Sequence, residues 1–126
     1  MSDEPIKVVL DASAITEFCR GSINVGEVLA EVAEEQGAAA LPVLCLVEAH
    51  ARVDADHLDL LINHEATVIT APLPGDWLDL SILHDTVGRL DAAEAVLTAI
   101  DAGCAVLTAT PALYGGMADG GPVIQV

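Results

Sequence analysis

Ile6-Lys7-Val8-Val9-Leu10-Asp11-Ala12-Ser13 is a short apolar run that ends abruptly in a carboxylate and a hydroxyl. It is too short for a core helix and rich in β-branched residues, the pattern of a buried parallel strand. Such a strand carries Asp11 out at its carboxyl end, and in open α/β sheets that edge is where ligands sit. The same residues also suit a plainer role, because Asp11 or Ser13 can cap a helix whose first turn runs from Ala14. From this strand alone the two readings stand side by side.

Working outward, further short apolar runs at residues 38–41, 66–70 and 104–108 read as strands, and residues 123–126 as an edge strand. The segments between them read as helices. Residues 12–19 form one, broken at Gly21. From Asn24, Val25, Val28, Leu29 and Val32 recur at helical spacing against Glu27, Glu31, Glu34 and Glu35, and Gly37 ends the run. Pro42 suits the first turn of a helix reaching Arg52; it is apolar nearly all round, which predicts burial on most sides, with Glu48 in its middle and little solvent around it. Asp54 and Asp56 open another, carrying Leu58, Leu60, Leu61 and Ile62. Asp76 is placed to cap a helix with Trp77, Leu80, Leu83 and Val87 on its inner face, and Asp91 begins a strongly apolar helix to about residue 102. Strands alternating with helices predict an α/β fold: a single three-layer α/β/α domain over residues 1–126 with a mostly parallel sheet.

Composition agrees. A chain of 126 residues can bury a proper core without staples. With 53% hydrophobic residues but only 2% aromatic, that core must be built from Ala, Val, Leu and Ile, which suits helices laid on a parallel sheet. Cys19, Cys45 and Cys104 are odd in number, far apart and without a C-x-x-C pair, which argues against a disulfide framework or structural zinc and for small buried residues in a reducing cytoplasm. The first five residues are acidic, and the longest uncharged apolar run, residues 38–47, is far too short to span a bilayer, so no membrane association is expected.

Four basic residues, Lys7, Arg20, Arg52 and Arg89, stand against twenty acidic ones, a net charge of −16. Phosphate backbones are gripped by Lys and Arg and single strands by aromatic platforms, and the chain is short of both. The charge serves solubility or matches a basic protein partner. His50, His57 and His64 recur every seven residues, but Asp54-Ala55-Asp56 interrupts any continuous helix between them, and they read as solvated positions.

Right-handed crossovers place the strands beginning at Ile6 and Cys104 near the sheet centre, with Asp11 and Thr110 leaving the carboxyl edge. Asp91 starts the helix feeding the second strand. Three carboxylates, Asp11, Glu48 and Asp91, converging on one crevice would attract Mg²⁺ or Mn²⁺, since hard cations take oxygen ligands. Each also has a structural reading: Asp91-Ala92-Ala93-Glu94 fits a capping box, Glu48 can pair with Arg52 one turn on, and Thr110 before Pro111 is a good N-cap.

Val8-Val9-Leu10-Asp11-Ala12-Ser13, then Val47-Glu48-Ala49, then Leu90-Asp91-Ala92-Ala93-Glu94-Ala95 followed by Ala105-Val106-Leu107-Thr108-Ala109-Thr110, resembles the PIN-domain ribonucleases, which include the VapC-type toxins of toxin–antitoxin pairs. The resemblance implies a five-stranded parallel sheet and a metal-dependent endoribonuclease whose acidic residues hold Mg²⁺ or Mn²⁺ and activate water for in-line attack on phosphate. Carried over by position, Asp11, Glu48 and Asp91 match three family acids, and Ser13 the hydroxyl that accompanies the first. The chain departs from the pattern at Thr110, where the family has an aspartate; threonine there is expected to keep the helix cap, and Glu94, one turn beyond Asp91, to offer a replacement oxygen. Implied partners are an RNA substrate, a basic antitoxin protein and a second copy of the chain, for which Leu58, Leu60, Leu61 and Ile62 offer apolar surface. A reading of a different class is a degenerate PIN fold kept as a protein-binding module.

Overall fold

The structure is a computed structural model that describes residues 4–126; the acidic first three residues lie outside the described part. Five strands form one all-parallel sheet in the order β3-β2-β1-β4-β5: β1 (Ile6–Leu10), β2 (Ala38–Pro42), β3 (Thr67–Thr70), β4 (Ala105–Thr108) and β5 (Val123–Gln125). Six helices connect them: α1 (Ala12–Cys19), α2 (Ile23–Glu34), α3 (Val43–His50), α4 (Ala55–Ile62), α5 (Trp77–Val87) and α6 (Leu90–Ala102). This is the three-layer α/β/α arrangement that the alternation of strands and helices implies. Among the described residues no helix is long and apolar enough to cross a membrane.

The central place of β1 follows from its composition. Val8, Val9 and Leu10 are buried on both faces, paired with Ala39 and Ala40 on one side and with Ala105, Val106 and Leu107 on the other. The alanines of β2 leave room for helices to lie close on the sheet. Leu10 and Leu107 are in register, so the segments after both strands leave the carboxyl edge side by side, and the Asp11 N–H continues the ladder to the Leu107 carbonyl at 3.3 Å.

Several local expectations are corrected. The helix bearing Glu48 is not buried on most sides: Cys45 and Ala49 face the core, but Val47 is exposed and the Glu48 side chain is 41% exposed. An almost uniformly apolar helix here covers one edge of the core with an open back. Trp77 does not pack inward; it is 69% exposed, and α5 turns Val87, with Leu80 and Leu83, toward the core instead. Asp76 makes no cap bond to α5, since Oδ2 accepts from the Leu73 N–H in the preceding 3-10 turn. On α4, Leu58 and Leu61 are core residues and only Leu60 is strongly exposed, so this helix offers less spare apolar surface than its sequence suggests.

An acidic crevice that gathers the arginines

Asp11 is both a helix cap and a crevice residue, so its two sequence readings are compatible. The chain turns from β1 into α1 with Asp11 as N-cap, its Oδ1 accepting from the Ala14 N–H at 3.0 Å. Ser13 Oγ donates to the same oxygen at 2.6 Å and accepts from the Ala109 N–H at 2.8 Å, stitching the end of β1 to the end of β4. Because the one Ser13 proton goes to Asp11, Thr108 Oγ1, 3.2 Å away, is the donor in that contact. Oδ2 accepts from the hydroxyl of the fully buried Tyr114 at 2.6 Å. Burial, then the Asp11 charge and hydrogen bond, push the Tyr114 pKa far up, which makes this phenol a permanent donor.

Asp91 lies in the first turn of α6, and Glu48 faces it from α3. Between them sits Arg89, delivered by the left-handed turn at Gly88 (φ 80°) that closes α5. Arg89 Nε donates to Asp91 Oδ1 at 3.1 Å and Nη2 to Asp91 Oδ2 at 3.3 Å, while Nη2 also reaches Glu48 Oε1 at 3.0 Å. Glu48 therefore pairs with Arg89 and not with Arg52. Hydrogen bonding to Asp91 raises the Arg89 pKa, with the Asp91 and Glu48 charges acting in the same sense against burial.

Asp11, Ser13, Glu48, Asp91 and Thr110 all line one crevice of about 210 Å³ at the carboxyl edge of the sheet. Arg20, Arg52 and Arg89 line it too. Three of the four basic residues of a chain with net charge −16 thus surround a single cavity. Sequence reasoning missed these arginines and Tyr114. The arginines are scattered at no motif spacing, but their scarcity was the available signal.

Three expectations fail. Glu94 does not serve the crevice: its Oε1 accepts from the Leu44 N–H at 2.8 Å, satisfying an orphan donor in the first turn of α3. There is accordingly no capping box with Asp91; α6 begins at Leu90 after Arg89, with no side-chain cap bond. Thr110 makes no cap bond to the 3-10 turn that follows it, and its hydroxyl lies 3.4 Å from Thr108 Oγ1. Cys45 Sγ donates to the Asp91 carbonyl at 3.3 Å, and burial with the surrounding Asp91, Asp11 and Glu94 charges raises its pKa, so it is an inert thiol.

Whether the crevice suits a divalent ion turns on its donors. The set is right in kind, three carboxylates, and among the described residues Asp11 Oδ2 accepts from Tyr114 alone. Its arrangement is incomplete, because both Asp91 oxygens are engaged by Arg89 and no group of three His, Cys, Asp or Glu side chains is gathered closely enough for a metal among the described residues.

Fold and site together define a three-layer α/β/α protein with an acidic, arginine-rimmed crevice at the carboxyl edge of a parallel sheet. No protein-family model matches the chain, and no curated protein matches it. In structure it is similar to PAE2754 from Pyrobaculum aerophilum, known from its crystal structure, with a TM-score of 0.66 over 100% of this chain and 92% of that one at 16% identity. Identity that low bears on the fold alone.

Proposed function

We propose that the chain is a PIN-type, metal-dependent endoribonuclease acting at the crevice of Asp11, Glu48 and Asp91. The observation that carries this reading is the gathering of Arg20, Arg52 and Arg89 around those carboxylates in a chain with one other basic residue. Solubility accounts for acidic surface, but not for collecting the scarce cations at one acidic cavity. Carboxylates beside guanidinium groups are what a phosphodiester needs, since arginine forks match phosphate oxygens. The same gathering answers the difficulty of a −16 surface for RNA, because repulsion is relieved locally where the phosphate would sit.

In this reading Asp11, Glu48 and Asp91 hold Mg²⁺ or Mn²⁺, which when bound polarises water and offsets charge on the phosphate. Arg20 and Arg52 take phosphate oxygens. Arg89 transfers from Asp91 to the substrate, freeing the carboxylate while keeping the guanidinium paired. Tyr114, Ser13 and the Ala14 N–H keep Asp11 oriented. The free cysteines support a cytoplasmic location, and the resemblance extends the proposal to the toxin of a toxin–antitoxin pair, with a basic antitoxin and a homodimeric state.

A second reading is favoured by Arg89 itself. It already neutralises Glu48 and Asp91, as a retained but inactive fold serving as a protein-binding module would require. Calorimetric titration of Mn²⁺ separates the two, run with wild type and Asp11→Asn and paired with cleavage of single-stranded RNA. The nuclease reading expects a site that Asp11→Asn lacks and cleavage that depends on it. Equal weak binding in both proteins, with no cleavage, gives the crevice to the binding module.

A further inference from the structure

A second cavity, of about 300 Å³, opens between the carboxyl end of β3 and the stretch of α6 from Glu94 to Ala102. Among the described residues, two buried side-chain polar atoms have no hydrogen-bond partner within the protein: Thr70 Oγ1 and Glu94 Oε2. Both residues line this cavity. Glu94 is 1% exposed, and its other oxygen is committed to α3, so the fold fixes the carboxylate and leaves one oxygen without a donor. Leaving such an acceptor buried and unpaired is costly.

The lining indicates what would satisfy it. Besides Glu94 it includes Asp76 and Asp101, and it has no basic residue; the rest is chiefly apolar, with Ile6, Leu97 and Ala102 among it. We infer that this cavity is a binding site for a primary alkylamine, whose ammonium donates to Glu94 Oε2 and Thr70 Oγ1 while its alkyl chain lies against Ile6, Leu97 and Ala102. An ammonium group carries three donors and no acceptor, which suits two unpartnered oxygens. Its alkyl chain suits the apolar walls. A neutral alcohol of the same length supplies the alkyl contact without the charge, and an anion meets three carboxylates. Burial raises the Glu94 pKa, and an adjacent cation opposes that shift by favouring the ionised form.

The site is independent of the crevice reading, although the two are linked structurally. Glu94 stands one turn along α6 from Asp91 and holds the first turn of α3, the helix that carries Glu48.

The test uses n-butylamine hydrochloride and 1-butanol as probes, titrated into the full chain in about 0.15 M NaCl to suppress loose ion pairing. Calorimetry gives affinity, and the amide resonances of Thr70 and Thr98 report location. Glu94→Gln keeps a carbonyl oxygen for the Leu44 N–H, so α3 stays capped, and it replaces the unpartnered acceptor with an amide donor. Ala102→Leu fills the cavity from the exposed end of α6 with a good helix former. Wild type is expected to bind butylamine more tightly than butanol, and each variant to bind the amine about tenfold more weakly or worse. Equal amine affinity in all three proteins would mean nonspecific pairing with the acidic surface. That result, no binding by wild type, or butanol equalling the amine would each overturn the assignment.

Discussion

Tyr114 shows how far the state of one carboxylate depends on a residue that local sequence cannot point to. Asp11 could be picked out because it ends an apolar run, and Glu48 and Asp91 because they stand in apolar helices; all three reach the crevice. Their partners were not legible, since hydrogen bonding across 103 residues leaves no periodic trace. Thr110 illustrates the opposite error: Thr before Pro is a sound cap signal, yet its hydroxyl turns to Thr108 instead. Tyr114→Phe keeps the ring in the core and removes one donor from a buried charge. The expected cost is about 1.5–3 kcal/mol of stability by urea denaturation, the range for hydrogen bonds to charged groups. A change within error would mean that Asp11 is held by Ser13 and Ala14 alone.

Elements were more legible than the bonds between them. The strands announced themselves as short apolar runs, β1, β2 and β4 because they are buried on both faces and β3 and β5 although they lie exposed at the sheet edges, and helix periodicity separated from them. Which helix a side chain serves was not legible: Glu94 stands three residues after Asp91 whether it caps its own helix or, as it does, the first turn of α3. That placement has a pH signature. Burial raises the Glu94 pKa above 4.5, outweighing the stabilising Leu44 N–H. A carboxyl whose folded pKa is raised contributes most to stability below its unfolded pKa, and loses that contribution as pH rises through the folded value. Glu94→Gln does not titrate and keeps the cap acceptor. Its stability relative to wild type should therefore rise as the pH is taken upward from about 4.5 through the raised folded-state value, as followed by denaturation midpoints. A difference constant with pH would mean that Glu94 is not perturbed by its burial.

At the scale of the whole molecule, charge and exposed apolar surface act against each other. Trp77, Leu78 and Ile82 are exposed on α5, with Leu73 exposed just before it, and the homodimer proposed above is expected to use this surface rather than α4. Burying such a surface drives association, while two copies each carrying −16 repel. The balance depends on salt, because the screening length falls from about 10 Å at 0.1 M to about 3 Å at 1 M and hydrophobic contact is not weakened by screening. Sedimentation across that range should show the monomer giving way to dimer as NaCl rises. Trp77→Glu, which removes the largest apolar contact and adds a charge at the same place, should hold the chain monomeric throughout. A wild type that stays monomeric at high salt would reject the dimer, and a dimer indifferent to Trp77→Glu would move the interface off α5.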